Sequence, residues 1–143
     1  MNTIDKKEVK IRRMVSSDIT PTLEIWWADI PEKEMVTSQL RGPLDLSFIA
    51  EYEGHFVGFI LARLICGGLP MVRVGVIFYI AVNPDYQNCG IGSMLVNALK
   101  SNCKAEGIET IRALVPHSET RMMKYFEKMG FHASTIINLD SPV

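Results

Sequence analysis

The sequence predicts a mixed α/β fold in which a central sheet of six to seven strands is flanked by about four helices. Three observations favour this class. Apolar residues recur with strand spacing in some segments and with helical spacing in others. Glycine turns separate consecutive strand patterns in the middle of the chain, which is typical of antiparallel hairpins. Strand and helix patterns alternate in the second half, which is typical of parallel strands joined by helices.

Composition bounds the class of protein before any motif is considered. The chain has 143 residues, 48% of them hydrophobic and 22% charged, which suits a single globular domain over 1–143. The formal net charge of −1 provides no global basic surface, so no nucleic-acid partner is expected. The N-terminus lacks an apolar signal region and no apolar run reaches the roughly 20 residues of a membrane helix. A cytoplasmic protein without a membrane partner is the expectation.

The number and spacing of the cysteines and histidines argue against a disulfide framework and against a metal site. The three cysteines are odd in number and have no framework spacing, which is unlike a secreted disulfide scaffold. No CxxC pair occurs and the three histidines are scattered, so no metal is expected.

The first half of the chain predicts a strand, two helices and a hairpin. Residues 10–15 form the first strand, and the capping residues 16–18 with Pro21 begin a helix. Its apolar face follows at helical spacing, and Pro31 ends it: Ile19, Leu23, Trp26, Trp27 and Ile30. A short helix over 32–40 precedes strands 46–52 and 56–66. Glu53-Gly54 forms the hairpin turn between those strands.

The second half predicts alternating strands and helices. Residues 71–82 form a long apolar strand, whose composition favours burial on both faces. A helix over 90–106 follows, with Gly107 as its C-terminal cap. Residues 108–115 form a strand, 118–129 a helix closed by Gly130, and 131–139 a last, weakly alternating strand.

The segment between the long strand and the following helix contains the motif that indicates a function. It reads Gln87-Asn88-Cys89-Gly90-Ile91-Gly92 after a strand that ends at Val82. A helix N-terminus presents unpaired N–H groups and a partial positive charge. Glycines let a phosphate approach that backbone closely, so this arrangement makes a diphosphate site without a lysine. The alternative to a diphosphate site is that these glycines only allow a tight turn and close helix packing. A P-loop would need Gly-Lys-Ser/Thr, and a dinucleotide fold would place its glycines after the first strand.

The whole string resembles the GNAT superfamily of N-acetyltransferases. Residues 87–92 match that family's Q/R-x-x-G-x-G/A signature. Tyr125-Phe126-Glu127-Lys128-Met129-Gly130-Phe131 is similar to its closing element, and Val57-Gly58-Phe59-Ile60 to its third strand. The resemblance extends from residue 11 to about residue 139.

The resemblance implies acetyl-CoA as the acyl donor, bound where the fourth strand splays from the fifth. The backbone of Ile80, Ala81 and Val82 is expected to pair with the pantetheine arm. An N–H near Ile80 or Ala81 is expected to stabilise the thioester oxygen as charge develops on it. The diphosphate is expected to lie on the loop and first helical turn: Gln87, Asn88, Cys89, Gly90, Ile91, Gly92 and Ser93. Cys89 is interpreted as a small loop residue rather than a nucleophile.

Two departures from the family pattern concern the proton-transfer groups. Many relatives carry a Glu on the fourth strand as general base, and residues 71–82 contain none. Glu51, Glu53 and His117 are alternatives, of which His117 is preferred because it follows the fifth strand and titrates near neutrality. A solvent-exposed His117 and solvated hairpin glutamates are the competing interpretation. Relatives place a Tyr acid where this chain has Phe126, so Tyr125 is the candidate acid, with simple packing as its alternative.

The function predicted is therefore direct transfer of acetyl from acetyl-CoA to an amine. A small amine, a peptide N-terminus and a lysine side chain all stay open as acceptor, and so does another acyl group. The competing hypothesis is a GNAT-fold module that binds acyl-CoA with weak or no transferase activity, which the two departures motivate. Many relatives dimerise, so a homodimer is open, although the sequence identifies no interface.

Overall fold

Five strands lie side by side in one sheet of the computed structural model, which describes residues 4–19, 43–44 and 46–143. In chain order, which is also their order in the sheet, they are Lys10–Arg13 (β1), Phe48–Tyr52 (β2), His55–Gly67 (β3), Val72–Val82 (β4) and Ile111–Ala113 (β5). The first four strands are antiparallel neighbours, and β5 is parallel to β4. The mixed α/β class is thus confirmed, with five strands in the described residues instead of six to seven.

The hairpin between β2 and β3 turns as predicted at Glu53 and Gly54. Their φ angles are 51° and 78°, and two consecutive positive values are typical of the type I′ turn that suits the twist of paired strands. Residue alternation along these strands then separates two apolar faces.

The larger apolar cluster lies on the face that both described helices cover. Those helices are α1 (Ile91–Ala105) and α2 (Thr120–Lys128). Strand residues such as Phe48, Ile60 and Ile77 meet Leu95, Leu99 and Phe126 there. The opposite face carries a smaller cluster of Met14, Ile49, Phe59 and Leu61. The two helices predicted over 16–31 and 32–40 fall almost entirely outside the described residues, as do Trp26 and Trp27; residues 16–18 form a short 3₁₀ turn.

Both helices end on the predicted glycines. Gly107 has a φ of 74°, and Ile108 N–H donates to the Cys103 carbonyl at 2.8 Å. Gly130 has a φ of 92°, and Phe131 N–H donates to the Phe126 carbonyl at 3.1 Å. Both arrangements are Schellman caps, in which glycine accepts the left-handed conformation and satisfies the last carbonyls. Neither described helix combines the length and the apolar character that crossing a membrane requires.

One strand prediction is wrong and another is confirmed only in part. Residues 131–139 belong to no strand, and Ile136, Ile137 and Leu139 are exposed. Ile136 and Ile137 are adjacent, so they would point to opposite faces of a sheet, and the segment specifies no buried side. The strand predicted over 108–115 shortens to β5, because Ile108 closes the C-terminus of α1.

Candidate active site

The candidate site begins where β4 separates from β5. Parallel pairing runs from Gly75 to Ile77 on β4 and stops at Ala113 on β5. Strand β4 continues to Val82, so residues 78–82 have no strand beside them on the β5 side among the described residues. We call this unpaired edge of β4 the notch. The prediction that the strand is buried on both faces holds over residues 74–77. It fails at residues 71–73, which are exposed, and from Phe78 onward, where the side chains are exposed or half-buried.

A β-bulge at Phe78 marks the point of separation. Leu61 on β3 pairs with Tyr79, and the next residue, Ala62, pairs with Ile77, so Phe78 has no register partner on β3, although the Arg63 guanidinium lies over its ring at 5.8 Å. The extra residue reverses the alternation: Ile77 belongs to the larger apolar cluster, whereas Tyr79 packs against the smaller one. A bulge also increases local twist, which turns the end of β4 away from β5. The sequence does not predict this bulge, because a run of apolar residues contains no sign of an extra residue.

The backbone of the notch presents two residues outward. Asn83 N–H donates to the Val57 carbonyl at 2.8 Å, which makes Gly58 and Val82 a non-hydrogen-bonded pair of the antiparallel ladder. Alternation then directs the N–H and C=O groups of Ile80 and Val82 away from β3, toward the β5 side. Ala81 pairs with Phe59 on β3. Of the two residues predicted to supply an oxyanion donor, Ile80 therefore has the appropriate orientation.

The loop between β4 and α1 is held by its own polar groups. Gln87 Nε2 donates to the carbonyl of Val82 at 3.1 Å, so this side chain ties the loop to the strand end. Asn88 and Gly90 both have left-handed φ angles, 63° and 83°. The Cys89 thiol donates to the Gln87 carbonyl oxygen at 3.6 Å. Cys89 is thus part of the loop architecture.

Among the described residues, no side chain caps the N-terminus of α1. Gly90 is the N-cap residue and contributes no side chain to bond the first N–H groups, which belong to Ile91, Gly92 and Ser93. Met94 N–H donates to the Gly90 carbonyl at 3.0 Å and begins the helical pattern. The first turn contains no acidic residue that would repel a phosphate.

Glycines create the space around this helix end. A Cβ at Gly58 on β3 would lie 3.0 Å from the Ala81 carbonyl oxygen and 3.3 Å from Ile91, so glycine lets α1 approach the sheet beside the notch. A Cβ at Gly92 would overlap the Tyr125 hydroxyl. Gly58 and the signature residue Gly92 therefore allow the first turn of α1 to pack closely against β3 and against Tyr125.

Tyr125 reaches this helix end from α2. Its ring packs edge-on against Phe126, with centroids 5.4 Å apart, and its hydroxyl lies against Gly92. Burial raises the pKa of Tyr125, so the hydroxyl keeps its proton at neutral pH. Phe126 is buried in the larger cluster and stacks edge-on with Phe131 at 5.1 Å. Phe126 therefore occupies the inward position, and Tyr125 is the residue that faces α1.

The predicted base candidates differ in their surroundings. His117 lies in an exposed turn after β5, which the Glu119 N–H to Pro116 carbonyl bond closes at 2.9 Å. Glu51 is not simply solvated, because it accepts from Arg12 at 2.6 Å. Glu53 occupies the exposed hairpin turn. Across residues 4–19, 43–44 and 46–143, no group of three or more His, Cys, Asp or Glu side chains is arranged to hold a metal ion.

Solved structures share this fold at low sequence identity. An aminoglycoside acetyltransferase from an uncultured soil metagenomic sample, in complex with trehalose, has a TM-score of 0.72 at 16% identity, covering 96% of this chain and 98% of its own. A ribosomal-protein-alanine N-acetyltransferase from Brucella melitensis biovar Abortus 2308 has a TM-score of 0.70 at 18% identity, with coverages of 94% and 99%. An aminoglycoside N-acetyltransferase in complex with CoA has a TM-score of 0.70 at 18% identity, with coverages of 94% and 100%.

A family model identifies the chain more directly than these structural likenesses. The model of the acetyltransferase (GNAT) family matches residues 12–131, which include the notch, the α1 N-terminus and Tyr125. The match covers more than half of the chain, and it agrees with the resemblance of residues 87–92 and 125–131. The chain therefore belongs to the GNAT family of acetyltransferases.

Proposed function

We propose that this protein binds acetyl-CoA and transfers the acetyl group directly to an amine acceptor. The observation that carries the proposal is the notch beside the N-terminus of α1, which no side chain of the described residues caps. Backbone groups of Ile80 and Val82 face away from β3 there, and the N-cap residue Gly90 has no side chain that could bond the first-turn N–H groups. An extended thiol arm and an anionic diphosphate need this combination of an unpaired strand edge and a helix N-terminus.

The candidate site residues divide into those that would bind acetyl-CoA and those that would take part in acetyl transfer. Val82 and the loop and helix residues Gln87, Asn88, Cys89, Gly90, Ile91, Gly92 and Ser93 would hold the arm and the diphosphate. Ala81 would contribute through its position between the outward residues rather than through a hydrogen bond to the arm. The Ile80 N–H would donate to the carbonyl oxygen as negative charge develops on it.

The bound donor supplies an acetyl group on a thioester. The amine nitrogen forms a bond to the acetyl carbon, the carbon–sulfur bond breaks, and the amine loses one proton while the leaving sulfur gains one. We assign the proton for sulfur to the Tyr125 hydroxyl, whose raised pKa keeps it protonated. We assign removal of the amine proton to His117, with bulk water as the alternative acceptor of that proton.

The acceptor is proposed only as a class: a small-molecule or peptide amine. By their names, two of the solved relatives act on aminoglycosides and one on ribosomal-protein alanine. A screen should therefore contain an aminoglycoside, a peptide with a free N-terminus and a lysine peptide with a blocked N-terminus. A cytoplasmic protein is proposed from the sequence, and a homodimer is left to a measurement of mass in solution.

Two pairs of measurements test binding and transfer separately. Calorimetry and thermal unfolding with acetyl-CoA test binding, since a ligand that binds only the folded state raises the melting temperature. Absence of both heat and a thermal shift at millimolar acetyl-CoA would overturn the proposal. Release of CoA thiol with each acceptor, followed by mass spectrometry of the product, tests transfer and identifies the acceptor class.

A module that binds acyl-CoA without efficient transfer is the second candidate. It is favoured by the exposed position of His117 and by the ion pair that engages Glu51, which leave the notch without an evident base among the described residues. Tight acetyl-CoA binding without CoA release across the whole screen would support the module. Competition between acetyl-CoA and longer acyl-CoA thioesters tests the choice of acyl group.

A further inference from the structure

The ammonium group of Lys6 lies over the N-cap residue of α1. A Cβ at Gly90 would be 3.1 Å from Lys6 Nζ and 3.3 Å from its Cε. Lys6 belongs to a short 3₁₀ turn, Lys6–Glu8, which immediately precedes β1. Asp5 caps this turn by accepting from the Lys7 N–H at 2.9 Å, and Ile4 packs against the larger apolar cluster. The turn is therefore anchored on both sides of Lys6.

This placement brings the ammonium group of Lys6 close to the partially positive N-terminus of α1. The N-terminus of α1 carries a partial positive charge, and a cation beside it is electrostatically unfavourable. No carboxylate in the described residues forms an ion pair with Lys6, and the first turn of α1 contains no acidic residue. Asp5 and Glu8 are close to Lys6 in sequence, but neither forms an ion pair with it in the described residues, so an anionic ligand would stabilise the two convergent positive groups.

We propose that Lys6 binds the diphosphate of the acyl carrier from the side opposite to the first-turn N–H groups of α1. This inference rests on the proposed function and identifies a residue of that same site. Lys6 lies outside residues 12–131, the part that matches the family model, so the family pattern does not include it. The ammonium adds a full charge to a site whose other donors are backbone dipoles.

Lys7 offers a matched control in the same turn. It is exposed and carries the same charge, but no Lys7 atom is among the atoms nearest the space above Gly90, which all belong to Lys6. Lys6→Ala and Lys7→Ala therefore change net charge equally and differ only in position. Comparing CoA with dephospho-CoA, which keeps the diphosphate and lacks the 3′-phosphate, identifies the phosphate that Lys6 contacts.

The experiment is calorimetric titration of wild type and both variants with CoA and dephospho-CoA. We expect Lys6→Ala to raise Kd about 5- to 20-fold for both ligands, and Lys7→Ala to change it less than about twofold. The difference between Lys6→Ala and wild type should shrink in 1 M salt. Without ligand, the melting temperature of Lys6→Ala should equal or exceed that of wild type, because the substitution removes a repulsion instead of a structural contact.

Three results would overturn the inference. Equal Kd values for Lys6→Ala and wild type would exclude a contact, and equal effects of Lys6→Ala and Lys7→Ala would indicate a nonspecific charge effect. A loss with CoA that disappears with dephospho-CoA would assign Lys6 to the 3′-phosphate. If wild type itself fails to bind CoA, the proposed function falls together with this inference, whereas loss of the Lys6 effect alone leaves the proposed function intact.

Discussion

The hydroxyl of Tyr125 lies against the α-carbon of Gly92, in the first turn of α1, so closely that a Cβ at Gly92 would overlap it. The contact joins α2 to the helix end that we propose as the diphosphate site. It also explains the second glycine of the signature in packing terms, because any larger residue there displaces Tyr125.

Gly92→Ala is expected to damage stability and binding together. The added methyl forces Tyr125 or α1 to move, and overpacking of this kind costs about 1–3 kcal/mol in the free energy of unfolding. Because the moved groups border the proposed diphosphate site, affinity for CoA should fall about tenfold or more. Denaturant unfolding and calorimetry measure the two effects.

Two comparisons isolate the Tyr125 contact as the cause. Gly67→Ala is the control for the substitution itself, since a Cβ at Gly67 meets nothing within 4 Å. Gly92→Ala should cost much less stability in a Tyr125→Ala background than in wild type, since contacting residues couple energetically. An equal cost in both backgrounds would contradict this explanation.

Tyr125→Phe tests proton donation to the leaving sulfur. Because water can also supply the proton, we expect kcat to fall about tenfold, below the usual range for a general acid, while Kd for CoA stays within about twofold. Burial raises the pKa of Tyr125, so wild-type activity should not lose this acid as pH rises from 7 toward its ordinary pKa of about 10. A higher Kd with unchanged kcat would assign the hydroxyl to ligand binding and remove the acid role.

His117→Gln tests removal of the amine proton. If His117 takes that proton, kcat/KM should fall about tenfold or more, and substitution by glutamine keeps a polar side chain of similar size. His132→Gln is the control, since His132 is exposed beyond α2, where Nδ1 lies 3.2 Å from the Ala133 carbonyl oxygen. Equal rates for His117→Gln, His132→Gln and wild type would leave the proton to water and make His117 an ordinary surface residue.

Asp18→Asn tests the ion pair that anchors the start of the fold. Asp18 is 6% exposed and accepts two hydrogen bonds from Arg12, at 2.7 and 2.8 Å, and one from the Val15 N–H. The Arg12 guanidinium lowers the pKa of Asp18, although burial acts in the opposite direction. We expect a loss of about 1–2 kcal/mol in unfolding free energy at pH 7, a modest figure because Arg12 is partly exposed.

The contribution of Asp18 to stability should change with pH in a defined direction. A carboxyl whose folded-state pKa is lowered contributes its full stabilisation above the ordinary pKa of about 3.9, and loses it as pH falls through the folded-state pKa. The stability difference between wild type and Asp18→Asn should therefore be constant from pH 7 to about 5 and shrink below pH 4. Asp140→Asn, in the exposed C-terminal segment, is the control and should have the same stability as wild type at pH 7. A difference that grows in acid would refute the assigned role.

Local patterns predicted most elements but not every boundary or pairing. Gly107 and Gly130 predicted both helix ends, because a left-handed cap depends on a few neighbouring residues and glycine accepts it without strain. A weak alternation over residues 131–139 predicts a last strand. This prediction is wrong, because a strand forms only where it can pair with the edge of a neighbouring strand. Strand β5 is three residues long, and the side chains of the final segment favour neither face.

The sequence by itself determined the family, the order of the described elements and the phosphate-side loop. Residues 87–92 form a contiguous motif, and a contiguous motif can be recognised in the sequence without knowledge of the fold. Only the tertiary structure decided which groups meet at that loop. The bulge at Phe78, the outward N–H of Ile80, the contact of Tyr125 with Gly92 and the approach of Lys6 to Gly90 all join residues that are distant in sequence or depend on strand register. Such relationships arise from packing between elements, and no local periodicity encodes them.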